Sequence, residues 1–524
     1  MSGSGNTTSP SSTDDLSYRV PLVRFAFALV LIWSRYEPRR VGQIAILDPE
    51  IASAWLLGRG ADTPNDSAKR VRLGRQTPTG LVDGGPLIGE TMSQQQARIE
   101  LVAGGIAVRT LGKAVVSIGG QPLSDDAVAR MAPGTFLHVR GHSTFLLVHR
   151  GVLLPPVAPE VCAHVFGEPD SAGIVGESPG AVTMRNQILR GVRTRGHLLL
   201  HGPTGSGKLL AARLVQQLSG RKGRLVRFNM ANLTESLADA ILFGNVKNYP
   251  NPGMHETAGL VFEAEGGVLF LDEFGELPPK LQSKLLLAME GVATRLGESR
   301  ERKVDLLVVG ATNAPLSQVK LDVRERFTTI IELPSLADRV EDMPLIARAL
   351  VLEAAREGSD LAPRFVRRDA SGWPYVAFAP AMVQAMVRSR YDGNARALRN
   401  LLFQAMNESF DAATAENAIR AGKGEPLIDM NVLTLSPPSN LDPWRTPPSM
   451  VPPGPEDGVP VDDLIAGIGV DPKPGLSEEH VRKALEKSLG NRGKAAKALG
   501  ISRHQLYRLM KDLGIVEPEK PEEP

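Results

Sequence analysis

The sequence lacks the residues that cross-link small extracellular domains or build zinc sites. The chain of 524 residues has a single cysteine, Cys162, so no disulfide can form within it. No Cys/His cluster has the spacing of zinc ligands, which argues against a structural metal. One unpaired cysteine is typical of a reducing compartment, so we expect a cytoplasmic protein, associated with the nucleoid if it binds DNA.

Long apolar runs and a strong charge imbalance are also missing. The most apolar early segment, Phe25 to Trp33, is shorter than the roughly 20 residues that span a bilayer, and Arg24 and Arg35 flank it. We therefore expect a buried β-strand there and no membrane contact. The net charge is +2, so a surface that binds nucleic acid has to be a local patch.

Composition and periodicity change several times along the chain, which is too long for one core. Short alternating runs predict a β-sandwich, strands alternating with helices predict a doubly wound α/β domain, and Pro-rich stretches predict linkers. We divide the chain into a disordered tail (1–18), a β-sandwich (19–150), a linker (151–172), an α/β domain (173–335), a helical lid (336–412), a Pro-rich linker (413–475), a three-helix block (476–517) and an acidic tail (518–524).

A glycine-rich loop follows an early apolar run of the α/β domain. The segment GPTGSGK lies between the run Leu198–Leu200 and a helical segment, where glycines let backbone N–H groups surround phosphates. Lys208 would neutralise the β- and γ-phosphates, while Leu209 replaces the usual hydroxyl residue. The alternative is a glycine-rich turn without a ligand. Our predicted ATP-binding residues in this loop are Gly202, Pro203, Thr204, Gly205, Ser206, Gly207, Lys208 and Leu209.

Two acidic residues end a later apolar strand. Asp272 and Glu273 follow Val268–Leu271, and parallel strands of such a sheet end at one edge. We expect Asp272 to hold Mg²⁺ and Glu273 to polarise the attacking water. Asn313 ends the next apolar strand near the γ-phosphate. Arg326 precedes the last strand and serves either catalysis or a surface ion pair.

The last helical block predicts a DNA-binding surface. Its third helix has an apolar face toward the other two helices and a basic, polar face toward solvent, which suits the major groove of double-stranded DNA. The alternative is a solvated bundle without a ligand. The candidate contact residues are Arg503, His504, Tyr507, Arg508 and Lys511.

Several segments together resemble the sigma-54-dependent bacterial activators, also called enhancer-binding proteins. The block from Asn491 to Ile515 resembles the Fis-type helix-turn-helix that ends most of them. The resemblance implies an AAA+ ATPase with an α-helical lid, a homo-oligomer from dimer to hexameric ring, and RNA polymerase with sigma-54 as partner. The central matching segments are GIVGESPG (173–180), the phosphate loop, ILFGNVK (241–247), GLVFEAEGGVLFLDEFGELP (259–278), VVGATN (308–313) and YDGNARALRN (391–400).

The same resemblance implies roles for further residues. Val175 would contact the nucleotide, Asn229 would restrain Glu273, and Arg396 would sense the nucleotide from the lid. Lys320 stands where the family has a first arginine that reaches into the neighbouring subunit's site, and Arg326 matches the second. Since lysine cannot grip phosphate in a bidentate way, we expect slower hydrolysis that depends on oligomer formation.

One segment departs from the family. Activators carry a GAFTGA loop that contacts the sigma factor, whereas this chain has NYPNPG at 248–253. Pro250 and Pro252 would stiffen a loop meant to move with nucleotide state. The sequence therefore leaves two alternatives open: a sigma-54 activator, or a DNA-binding regulator that represses or serves the housekeeping polymerase.

The N-terminal sandwich resembles a forkhead-associated (FHA) domain, which reads phosphothreonine. Gly58-Arg59 matches its Gly-Arg pair and Ser93 its serine, while Gln96 and Leu111 replace the usual histidine and asparagine. Arg59 and Ser93 supply the guanidinium and hydroxyl that hold a phosphate. The resemblance implies a phosphothreonine protein as partner. The alternatives are a sandwich used only for docking, and an adaptor whose ATPase is silent.

Overall fold

The computed structural model describes residues 24–60, 68–156, 164–231, 235–277 and 279–423, with seven residues between 425 and 434. The predicted tails, Cys162, the Pro-rich linker beyond 434 and the three-helix block with its DNA-contact candidates lie outside the described residues. Within the described part, no helix is both long and apolar enough to cross a bilayer.

The N-terminal part is the predicted β-sandwich. Its eight-stranded antiparallel sheet has the order β10-β9-β12-β13-β1-β2-β5-β6, and its five-stranded sheet has the order β11-β8-β7-β3-β4. The strands are β1 (Phe25–Ser34), β2 (Ile44–Leu47), β3 (Ala54–Leu57), β4 (Lys69–Arg70), β5 (Gly74–Thr77), β6 (Gly80–Asp83), β7 (Ala97–Val102), β8 (Gly105–Thr110), β9 (Val116–Ile118), β10 (Gln121–Pro122), β11 (Val128–Met131), β12 (Phe136–Val139) and β13 (Ser143–Gly151).

Strand β1 is apolar on both faces because both are covered. Leu29 and Leu31 pack against the second sheet of the sandwich, in a cluster that includes Trp55. Val30 and Ile32, which point the other way, belong to a cluster shared with the lid. A strand buried on both sides reads as a continuous apolar run, as in segment 25–33.

The central domain is built on a five-stranded parallel sheet of order β15-β16-β19-β14-β20. Successive residues of its strands face helices on opposite sides: Leu199 belongs to one core cluster and Leu198 to the other. The strands of this sheet are β14 (His197–His201), β15 (Leu225–Asn229), β16 (Val268–Asp272), β19 (Leu307–Thr312) and β20 (Phe327–Glu332). Strands β17 (Val292–Ala293) and β18 (Arg302–Lys303) form a separate two-stranded hairpin. The helices are α1 (Pro179–Arg193), α2 (Lys208–Ser219), α3 (Glu235–Phe243), α4 (Leu260–Glu263), α5 (Pro279–Met289) and α6 (Leu321–Arg324).

The lid contains α7 (Met343–Arg356), α8 (Pro380–Arg388) and α9 (Asn394–Lys423). Besides these helices, the lid contains a two-stranded hairpin, β21 (Val366–Arg368) and β22 (Pro374–Val376), which the prediction of a helical lid did not specify. The predicted lid boundary at 412 is wrong, because α9 continues to Lys423. Residues 413–423 contain no proline and four alanines, and Arg420 pairs with Glu416 one turn earlier, all of which favour helix.

The sandwich and the lid share a hydrophobic core. Phe136 and Leu146 of the sandwich join Leu345 and Val383 of the lid in one buried cluster. The Trp33 indole N–H donates to the Phe378 carbonyl at 2.7 Å. The sandwich is therefore packed on the lid, in contrast to a module held only by a flexible tether.

A buried ion pair crosses the same contact. Arg150 Nη1 of β13 lies 2.8 Å from Glu341 Oε2, and the two side chains are only 8% and 12% exposed. Burial raises the pKa of Glu341, while the Arg150 charge opposes that rise. Each group therefore depends on the other for compensation of its charge.

Candidate nucleotide site

The glycine-rich loop connects β14 to α2, as the sequence predicts. Gly207 has φ +99°, where a Cβ would meet only Leu210 Cδ1 at 4.0 Å, and Gly205 has φ +74°. A Cβ at residue 205 would lie 2.1 Å from the Gly393 carbonyl oxygen of the lid. The loop therefore requires glycine at 205 both for its backbone conformation and for the close approach of the lid.

Lys208 is the central cation of the site. It is 7% exposed, and its Nζ donates to the carbonyls of Gly202 at 3.0 Å and Pro203 at 3.2 Å. Burial lowers the pKa of Lys208, and the charges of Asp272 and Glu273 act against that shift. A buried ammonium group facing an open phosphate loop is suited to a polyanion.

The remaining residues of the loop differ in burial and in their contacts. Ser206 is buried and Pro203 exposed, and Thr204 accepts a 3.0 Å hydrogen bond from Asn313 Nδ2. Leu209, which replaces the usual hydroxyl residue, packs against the core between the sheet and α2. It provides no oxygen ligand for a cation.

The two predicted carboxylates lie together at the end of β16. Asp272 Oδ1 accepts the Glu273 N–H at 3.0 Å, and Glu273 has a left-handed φ of +52°. Burial raises the pKa of Glu273, and the Asp272 charge raises it further. A carboxylate whose pKa is shifted toward neutrality is a better general base than an ordinary surface glutamate. A non-glycine residue pays an energetic cost for this left-handed backbone, and such residues are enriched at functional sites.

A magnesium ion fits this site only as a partner of bound phosphate. Within the described part of the chain, no group of three or more His, Cys, Asp or Glu residues could hold a metal. Mg²⁺ at nucleotide sites takes one or two carboxylates and completes its shell with phosphate oxygens and water. Asp272, half-buried at the strand end beside the phosphate loop, supplies that type of ligand.

A cavity of about 280 Å³ opens between the phosphate loop and the lid. Val175, predicted to contact the nucleotide, lines it together with Gly205 and Gly207. The lid forms the opposite wall of the cavity. The residues of this wall were not predicted from the sequence, because no local motif contains them. The wall residues are Arg339, Ile346, Ala349, Leu350, Glu353 and Arg356. A wall that is half apolar and half charged suits a flat heterocycle with polar groups at its edge.

Arg396, predicted to sense the nucleotide, and Asn229, predicted to restrain Glu273, lie in different parts of the domain. Arg396 is exposed at the start of α9, where its charge acts on the pKa of both Lys208 and Glu273. Asn229 lies opposite Asp272 in the sheet register, and its Oδ1 accepts the Ala231 N–H at 2.9 Å. The structure thus places Asn229 at the same sheet edge as the acidic pair, and its restraint of Glu273 stays a prediction.

The two residues predicted to act on a neighbouring subunit lie on the surface. Arg326 Nη2 lies 2.6 Å from Glu290 Oε1, with the arginine 52% exposed. Lys320 Nζ donates to Ser283 Oγ at 3.0 Å. The ion pair of Arg326 agrees with the surface alternative, and an exposed position is also what a role across subunits requires.

The loop that contains residues 248–253 is fastened at its base. Asn245 is 1% exposed, and its Nδ2 donates to the carbonyls of Val246, Tyr249 and His255. Its Oδ1 accepts from Thr257 Oγ1 at 2.6 Å. One amide thus joins both arms of the loop, while residues 247–258 remain exposed.

The predicted phosphate-binding residues of the sandwich also meet. The Arg59 N–H donates to the Ser93 carbonyl at 3.1 Å, and Ser93 Oγ accepts the Lys113 N–H at 3.1 Å. Gln96 is buried, and its side-chain oxygen supports the loop by accepting the Ser93 N–H at 3.2 Å. The Arg59 side chain is exposed. Three loops of the sandwich therefore converge on Ser93.

The fold and this site define a P-loop nucleotide-binding domain of the AAA+ class. Comparison with known families gives a match to the Sigma-54 interaction domain over residues 174–329, and a match to the bacterial regulatory proteins of the Fis family over residues 476–513. The chain is 30% identical to the transcriptional regulatory protein ZraR of Salmonella typhimurium over 346 residues, which cover 64% of this chain and 67% of ZraR. It belongs to the family of sigma-54-dependent transcriptional regulators.

Other relatives match over smaller shares of their length. The anaerobic nitric oxide reductase transcription regulator NorR of Vibrio vulnificus is 29% identical over 65% of this chain and 63% of its own. The acetoin catabolism regulatory protein of Cupriavidus necator is 31% identical over 70% of this chain and 51% of its own. The chain thus spans about half to two thirds of these regulators. Among solved structures, NtrX from Brucella abortus in complex with ATP has 23% identity and a TM-score of 0.39, covering 67% of this chain and 70% of that one.

Proposed function

We propose that the protein is an ATP-hydrolysing, DNA-binding transcription regulator in which ATP turnover at the phosphate loop remodels a transcription complex. The observation that carries the proposal is the placement of Lys208, the Asp272–Glu273 pair and Asn313 around one loop, beneath a lid that carries Arg396. We place its action on DNA in the cytoplasm.

In this reaction the oxygen of a water molecule attacks the γ-phosphorus, and the bond from that phosphorus to the β–γ bridging oxygen breaks. Glu273 accepts the proton of the attacking water, and ADP leaves with the electron pair of the broken bond. Lys208 neutralises negative charge on the phosphates, and Arg396 adds positive charge from the lid. Mg²⁺ on Asp272 would neutralise further phosphate charge when bound.

An ATPase assay across protein concentration tests the proposal. We expect turnover per subunit to rise with concentration, because Arg326 and Lys320 lie on the surface and would complete a neighbour's site. Lys208→Ala should weaken ATP binding at least about 10-fold, the loss expected for a hydrogen-bonded charge. Lys222→Ala, at an exposed position in the same domain, is the control and should bind ATP normally. Absence of turnover at every concentration would contradict the proposal.

DNA binding rests on the Fis-family match at residues 476–513. We propose that Arg503, Tyr507 and Arg508 contact bases or backbone, with His504 and Lys511 beside them, and that two copies bind two half-sites. Mapping the bound DNA across a genome, combined with a sigma-54 pulldown, distinguishes the two output modes. Sites upstream of sigma-54-type promoters support an activator. Sites elsewhere, with no sigma-54 captured, support a regulator in which the Asn248–Gly253 loop no longer serves that contact.

A second function, phosphothreonine recognition by the sandwich, is favoured by the convergence of Arg59 and Ser93. We expect a phosphothreonine peptide to bind and its unphosphorylated form not to bind, because the guanidinium supplies charge-assisted hydrogen bonds. Arg59→Ala should lower the affinity at least about 10-fold. The control is Arg130→Ala, exposed on β11. Equal affinity of Arg59→Ala and the unaltered protein would leave the sandwich as a docking module only.

A further inference from the structure

Asn394 occupies an unusual position at the start of the last lid helix. It is 4% exposed and has a left-handed φ of +48°. Asparagine is among the few residues that tolerate this backbone conformation. The residue lies two positions before Arg396, so its conformation sets the first turn of the helix that carries the nucleotide sensor.

The Asn394 amide uses both of its ends across two different segments. Nδ2 donates to the Thr204 carbonyl of the phosphate loop at 2.8 Å. Oδ1 accepts the Leu336 N–H at 2.7 Å, where the chain leaves the α/β domain and enters the lid. One side chain therefore joins the phosphate loop, the entry to the lid and the start of α9.

A second hydrogen bond strengthens the same contact. The Ala395 N–H donates to the Gly205 carbonyl at 3.2 Å, so two successive carbonyls of the phosphate loop accept from the lid. The C=O and N–H of a trans peptide point in opposite directions. Holding the Thr204 carbonyl therefore also fixes the direction of the Gly205 N–H, a donor of the kind that phosphate loops use.

We propose that Asn394 is a positioning residue that couples the geometry of the phosphate loop to the position of the lid and of Arg396. The inference rests on the proposed ATPase function and extends it. A change in lid angle strains or breaks the Nδ2 hydrogen bond, and the phosphate loop responds. ATP binding and lid position are then linked through the Asn394 side-chain amide, with the Ala395 N–H beside it.

The substitution Asn394→Asp isolates the proposed contact. It keeps an oxygen to accept the Leu336 N–H and a residue type that tolerates positive φ, and it replaces the donor to Thr204 with an oxygen that repels the carbonyl. Asn394→Gly is the second variant, since it keeps the backbone conformation and has no amide. Asn400→Asp, an exposed position on the same helix, makes the same chemical change and is the control.

Hydrogen exchange without nucleotide is the first readout. We expect the backbone amides of peptides covering 202–208 and 391–398 to exchange at least 10-fold faster in Asn394→Asp and Asn394→Gly than in Asn400→Asp, with distant sandwich peptides unchanged. Equal exchange in all variants would overturn the proposal. Because this readout needs no ATP, it remains decisive even if the unaltered protein binds none and the proposed function fails.

A double-variant cycle gives the second readout. Asn394→Asp should weaken binding of a fluorescent ATP analogue at least 10-fold. Combined with Arg396→Ala, it should lose little more than the worse single variant, because Asn394 acts in part by placing Arg396. Fully additive losses would show that the two residues act independently and would reject the positioning role.

Discussion

Glu273→Gln is expected to bind ATP as tightly as the unaltered protein and to hydrolyse it at least about 100-fold more slowly, the usual contribution of a general base. The amide keeps the size of the side chain and its place at the end of β16, and it cannot accept the proton of the attacking water. It also removes a negative charge beside Asp272, which favours the bound triphosphate. The measurement is a single-turnover hydrolysis assay alongside equilibrium binding of a fluorescent nucleotide.

The matched control for that experiment is Glu263→Gln, which makes the same change at an exposed position of α4. It should hydrolyse ATP at the ordinary rate. Unchanged turnover in Glu273→Gln would reject Glu273 as the general base and would imply that another group near the loop accepts the proton. Weaker ATP binding in that variant would instead indicate that the glutamate serves the nucleotide ground state.

Arg150→Met should destabilise the folded chain by about 3–5 kcal/mol, the cost of removing one partner from a buried ion pair. The methionine fills much of the space left by the arginine stem, and Glu341 then keeps a buried carboxylate without its counter-charge. Urea unfolding followed by fluorescence measures the loss. Arg98→Met is the control, because the pair of Arg98 and Glu100 is 34% and 53% exposed and such pairs contribute about 1 kcal/mol or less.

The loss in Arg150→Met should depend on pH in a defined direction. Burial raises the pKa of Glu341 in the folded chain above its unfolded value, and removal of Arg150 raises it further. At low pH the Glu341 carboxyl is protonated and its burial costs little. As pH rises through the pKa of the folded state, the buried carboxylate ionises and the free energy of unfolding falls. The variant should lie closest to the unaltered protein near pH 5 and furthest from it near pH 8. Adding Glu341→Gln should recover most of the loss, and a pH-independent deficit would contradict this account.

Local patterns were sufficient to predict several strands and which polar residues lie at their ends. Strand β1 (Phe25–Ser34) contains the predicted segment Phe25 to Trp33, and the acidic pair follows a strand that begins at the predicted residue, Val268. These features belong to short contiguous segments, so the spacing of apolar residues and the polar residues that follow them can be recognised directly in the sequence. The phosphate loop was predictable for the same reason, because its glycines, its lysine and the flanking strand and helix are contiguous.

Contacts between distant segments could not be predicted in this way. The Asn394 side chain lies within a segment whose similarity to the family was recognised, yet only Arg396 was assigned a role there. Its contact with Thr204 joins residues 190 positions apart, and the pair of Arg150 and Glu341 joins residues 191 apart. Periodicity shows that a face is apolar and leaves open which element covers it. The packing of the sandwich on the lid was therefore outside the reach of local patterns.

The shared core also has a mechanical consequence. Asp342, the neighbour of Glu341, accepts the N–H groups of Glu177 and Ser178 at 2.7 and 2.9 Å, at the start of α1 and close to the nucleotide cavity. Because the sandwich shares a buried core with the lid, any movement of the lid would displace the sandwich with it.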